Sequence, residues 1–140
     1  MDALNRTFEY IWPMTVTPAS VVVIESHPLM RAALCAAIAD EPDLTIAAIS
    51  ASGSDVLATV ETLHPDIILF ALGEAGAEDL AALKSLREKL PTASILALTS
   101  DASSGMEQAV LESGARAILT KAATRGDLLG ALRKLILAMH

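Results

Sequence analysis

Solid apolar runs alternate along the chain with stretches in which apolar residues recur every three or four positions, the pattern of buried strands and amphipathic helices. The first run, Val21–Ile24, is continuous and β-branched, and Pro28 to Ala39 follows with Met30, Ala33, Leu34, Ala37 and Ile38 at helical spacing. Pro28 suits a first helical turn, where a missing N–H leaves nothing unpaired. Leu44–Ile49 predicts a second, more mixed strand, and Val56, Leu57, Val60 and Leu63 predict one helix with a single apolar face. Ile67–Phe70 is the third strand, and Leu80, Leu83, Leu86 and Leu90 mark the helix after it. Ile95–Leu98 is the fourth, followed by a helix through Ala109 and Val110 that Gly114 ends as a C-cap. Ala117–Leu119 is a short fifth strand, and Thr124 with Asp127 three residues on forms a variant capping box for the last helix.

Repeated βα units with solid apolar strands imply a parallel sheet covered on both faces. The first, third and fourth runs are the most uniformly apolar and belong at the centre; the second and fifth belong at the edges. Right-handed crossovers then give the order 2-1-3-4-5, a flavodoxin-like α/β three-layer sandwich.

With 140 residues, 53% hydrophobic and 19% charged, the chain can build one domain with a real core. A net charge of −7 and scattered Arg and Lys argue against direct nucleic-acid binding. Cys35 is the only cysteine, so no intrachain disulfide or cysteine-based metal cluster forms. No apolar stretch is long enough to span a bilayer, and the acidic start of MDALNRTFEYIWPM does not read as a signal peptide. The expected setting is cytoplasmic, with no membrane association. Residues 1–19 read as an N-terminal aromatic extension and 20–140 as the domain.

The carboxyl ends of the strands should bring Glu25 and Ser26, Ala71, Thr99 with Ser100, and Lys121 to one crevice, where open α/β sheets carry their sites. ESHP after the first strand has no glycine to bring N–H groups onto a phosphate, which excludes a P-loop or dinucleotide fingerprint. Ser26 and His27 are sequence neighbours, a spacing that does not set a hydroxyl on an imidazole, and His27 reads as packing at a helix start. His64 and His140 have no spaced partners and read as solvated. No catalytic residue, metal ligand set or cofactor is indicated.

VVVIESHPLMRAAL, HPDIILFAL, ILALTS and GARAILTKAAT, in this order and spacing, resemble the response-regulator receiver domain, a CheY-like fold, and are closest to the LuxR-type regulators. The resemblance covers about Val21 to Met139. In that family two acids end the first strand and an aspartate ending the third accepts a phosphoryl group with help from magnesium. A Thr or Ser on the fourth strand and a Lys on the fifth contact the phosphoryl oxygens. Glu25 matches the first acid and Thr99 and Lys121 match the last two groups. Ser26 replaces the second acid, Ala71 replaces the phosphoacceptor, and Ile118 stands where the family often has a switching aromatic. Asp66 lies at the wrong end of its strand to compensate, and Glu74 is the one nearby acid, needing an unusual loop path to act as a surrogate. Without a phosphoryl group, Lys121 is expected to pair with Glu25, and Thr99 to cap the following loop.

Two surfaces suggest partners. Ala32 and Cys35 occupy first-helix positions expected to face outward, and Leu137 and Met139 flank the core positions of the last helix, although small residues on a surface also explain the former. Phe8, Tyr10 and Trp12 alternate before Pro13 as an extended segment with one sticky face. The resulting reading is a receiver-like module of two-component phosphorelay signalling, not an enzyme. It would act through a protein partner independently of phosphorylation, and as a homodimer. The alternatives are the receiver half of a LuxR-type transcriptional regulator, against which a chain ending at His140 without a linker argues, and a small-molecule-binding or enzymatic domain using the vacated acidic pocket.

Overall fold

The computed structural model describes residues 17–73, 76–100 and 103–139. Strands β1 (Ala19–Ile24), β2 (Leu44–Ser50), β3 (Ile67–Ala71), β4 (Ser94–Thr99) and β5 (Ala117–Thr120) form one parallel sheet in the order β2-β1-β3-β4-β5. The helices are α1 (Pro28–Ala39), the short α2 (Gly53–Val56) and α3 (Val60–Leu63), α4 (Gly76–Lys89), α5 (Ser104–Glu112) and α6 (Arg125–Ala138). This is the flavodoxin-like arrangement that the apolar runs predict.

The runs of β1, β3 and β4 are solid because these central strands are buried on both faces. Val21, Val23, Ile67, Leu69 and Leu96 join Leu34 and Ile38 of α1 and Leu128 and Leu132 of α6 in one core. Their neighbours Val22, Ile24, Ile68, Phe70 and Ile95 join Leu83 and Leu86 of α4 and Val110 of α5 in the other. Edge strand β2 carries an irregularity: Val21 pairs with Ile46 but Val22 with Ala48, so one extra residue sits in β2.

Three expectations are corrected. The single helix over Val56–Leu63 is two short pieces. Thr59 N–H and hydroxyl both turn to Val56 O, at 3.1 and 3.3 Å, and Thr62 N–H and hydroxyl both turn to Thr59 O, at 3.2 and 2.8 Å. These three-residue returns by threonines compete with the four-residue helical ladder and break it, while Val56 and Val60 stay buried. Cys35 is not on the outer side of α1. It is partly buried against the first core, one position after Leu34, and burial pushes its thiol pKa up despite the nearby Arg31. Gly114 is one residue beyond the C-cap, which is Ser113; its φ of +120° is the conformation only glycine adopts readily.

Arg87 occupies the space that this glycine leaves. A methyl built on Gly114 would lie 2.5 Å from Arg87 Cγ. The Arg87 guanidinium donates to the carbonyls of Leu90 and Ala93, and reaches Gly114 O at 3.5 Å. At the end of the chain the Thr124–Asp127 capping box is formed as predicted, with reciprocal bonds of 3.1 and 3.2 Å.

Candidate functional site

Parallel pairing aligns the carboxyl ends of the strands. Ile24 pairs with Phe70, Ala71 with Leu98, and Thr99 with Thr120, so Glu25, Ala71, Thr99 and Lys121 sit at or one step past neighbouring strand ends. Side-chain alternation carries Ala71 to the face of Ile67 and Leu69, and it is 4% exposed within that core. Thr99 is buried, and its carbonyl accepts from Lys121 N–H at 2.9 Å. Ile118 on β5 is half-buried and packs against the second core.

Glu25 is the centre of the crevice. Only 1% of it is exposed, and its Oε1 accepts from His27 N–H at 3.1 Å. Its Oε2 stands 3.5 Å from Lys121 Nζ but, among the described residues, receives no hydrogen bond. A buried carboxylate oxygen with a charge partner 3.5 Å away but no formed hydrogen bond is only partly compensated for its lost hydration. Glu25, His27, Leu29, Met30, Ala33 and Lys121 line a shallow hollow of about 400 Å³ beside it.

Two residues that position this site had no role in the sequence reading. Arg31 Nη1 donates to Glu25 O at 3.0 Å and to Ser26 O at 3.4 Å, fixing the turn between β1 and α1. Asp79, in the first turn of α4, accepts from Gly73 N–H at 2.8 Å and fixes the loop after β3. A methyl on Gly73 would lie 3.3 Å from Ser26 Oγ, so those two loops pass close together. Asp66 is at the other end of the sheet. Its Oδ2 accepts from Ser20 N–H at 2.8 Å, and Ser20 Oγ accepts from Asp66 N–H at 3.0 Å. Glu74, Phe8, Tyr10, Trp12 and His140 lie outside the described residues.

On the surfaces, Ala32 is exposed, and Leu137 and Met139 at the end of α6 are 74% and 37% exposed. Among the described residues no helix is long and apolar enough to cross a membrane.

Residues 21–133 match the family model of the response regulator receiver domain. No curated protein matches the chain. Solved structures similar to it include the signal receiver domain of the response regulator NarL from Mycobacterium tuberculosis, 22% identical with a TM-score of 0.76 over 84% of this chain and 94% of that one. A LuxR-family two-component response regulator from Aurantimonas sp. SI85-9A1 is 22% identical with a TM-score of 0.79, over 87% of each chain. The response regulator domain of Thermotoga maritima CheB is 21% identical with a TM-score of 0.74, over 88% of this chain and 97% of that one. At these identities the structural likeness establishes the fold.

Proposed function

The chain belongs to the response regulator receiver domain family, whose members work in two-component signalling through protein partners, and from that premise we propose that this receiver acts without accepting a phosphoryl group. The observation that carries this reading is Ala71, a buried methyl at the end of β3 where the family places its phosphoacceptor aspartate. A methyl has no lone pair to attack phosphorus. Ser26 stands in place of the second acid, which leaves Glu25 as the single matched carboxylate, and Lys121 already faces it at 3.5 Å. That donor set does not fit magnesium, which needs hard oxygen ligands and would compete here with a fixed ammonium. Glu25, Ser26, Ala71, Thr99 and Lys121 are thus a degenerate phosphorylation pocket held in one state, with Ile118 as a switch position lacking its aromatic.

The output of such a module is a surface, not a reaction. Leu137 and Met139 at the end of α6, with Ala32 on α1, are its contact residues for a signalling protein and for a second copy in a cytoplasmic homodimer; the half-buried Cys35 belongs to the core behind them. A second reading has one observation in its favour. The orphaned Glu25 Oε2 beside the 400 Å³ hollow suits a small molecule bearing a hydrogen-bond donor.

Intact-mass measurement after incubation with a small acyl phosphate and magnesium tests the main reading. An unmodified chain is expected. A base-labile phosphate adduct, on Glu74 or elsewhere, would overturn it.

A further inference from the structure

A hollow larger than the one beside Glu25 lies at the opposite end of the sheet. It has a volume of about 840 Å³, within the range of roughly 300–1,000 Å³ typical of ligand pockets. Leu90, Ile136, Leu137 and Met139 give it an apolar wall, and Thr17 and Pro18 line the place where the chain enters β1. Asp43 and Asp66 add carboxylates to the lining. The receiver pocket uses none of these residues.

We infer that the aromatic stretch Phe8–Trp12 of this chain's own N-terminal segment seats in this groove. The tether argues for it. Thr17 is a wall residue, and Trp12 is five positions upstream of it. Five residues reach at most about 18 Å when extended, so Trp12 is tethered within that distance of Thr17. A tether this short gives an effective concentration in the millimolar range, which favours the chain's own segment over a second copy or a separate peptide. Pro13 fixes one backbone angle of the link and lowers the entropy lost on docking.

The chemistry of segment and groove matches. Phe8, Tyr10 and Trp12 each bury about 150–250 Å² when covered, and alternate residues of an extended segment present one face. Leu137 and Met139 are the exposed apolar residues at the end of α6, and the methionine thioether makes favourable contacts with aromatic rings. The carboxylates of Asp43 and Asp66 can accept from the indole N–H and phenol O–H, which need partners when buried. Docking here would cover the α6 part of the contact surface named above. The groove and its occupant do not depend on that function.

Trp12 is the only tryptophan, so fluorescence of the intact chain reports on it directly. The expected result is a blue-shifted emission, protected from acrylamide and unchanged on dilution. Leu137→Asp and, independently, Met139→Glu should shift it to the red and restore quenching, with the circular dichroism of the domain retained. Leu111→Asp, at an exposed position on α5, should leave it unchanged. A hydrated indole in the intact chain overturns the inference, as does a sheltered Trp12 indifferent to both groove variants. Shelter that appears only as the mass doubles at high concentration would assign the groove to a second copy and overturn it too.

Discussion

Lys121 Nζ lies 3.5 Å from Glu25 Oε2, and the two ends of the pair are unequal: the lysine side chain is 21% exposed and the glutamate 1%. Removing either partner therefore has different consequences. Lys121→Met strands a buried carboxylate whose Oε2 has no hydrogen-bond donor among the described residues. Glu25→Gln removes the buried charge and leaves an ammonium that water can reach. The expected costs are about 3 kcal/mol for the first and about 1 kcal/mol for the second. Urea unfolding of both variants and of the double variant checks this, and the double should be more stable than Lys121→Met alone.

Acid should weaken the junction between α6 and β2. Arg133 holds Asp43 by two bonds of 2.9 Å and reaches Glu41 at 2.5 Å, and the guanidinium keeps the Asp43 carboxyl below its ordinary value of 3.8. A depressed folded-state pKa contributes stability above the unfolded value, which is lost as pH falls through the folded one. The pair is half exposed, so its worth at neutral pH is about 0.2–1 kcal/mol. The stability gap between the parent and Asp43→Asn should close below about pH 4, the unfolded value.

Two left-handed positions respond oppositely to substitution. Gly114→Ala places a methyl at φ +120° against the Arg87 side chain and should destabilise by about 1–3 kcal/mol. His64 ends α3 at φ 47° and ψ 53° with a side chain, and His64→Gly should raise the melting temperature, by a stabilisation of up to about 1 kcal/mol. Differential scanning calorimetry reads both.

Rebuilding the acids of the pocket should recreate a cation site. Ala71→Asp with Ser26→Asp puts like charges beside Glu25, so the double variant is expected to melt below the parent. Magnesium should then raise the melting point of the variant and leave the parent unchanged, because only the variant binds it when folded. Equal responses from both proteins would count against the degenerate-pocket reading.

Strand order was legible because burial on both faces leaves continuous apolar runs, and β1, β3 and β4 carry the most uniform ones. The α2–α3 break was not, since the apolar period runs through it and the competing bonds come from the side chains of Thr59 and Thr62. Glu25, Thr99 and Lys121 could be found from their places at strand ends. Arg31 and Asp79 could not: they hold backbone carbonyls and an N–H, contacts that leave no residue-type pattern. The large groove escaped for another reason. Thr17, Asp43, His64, Leu90 and Leu137 come from five separate segments and meet only after folding.

Arg87 has a consequence for how the domain opens. One guanidinium holds carbonyls at Leu90 and Ala93, ahead of β4, and at Gly114, ahead of β5. Neither turn can fray while the other stays closed without stranding a donor. Amide protons across both turns should exchange with solvent at one shared rate, and Arg87→Ala should split them into two independent populations.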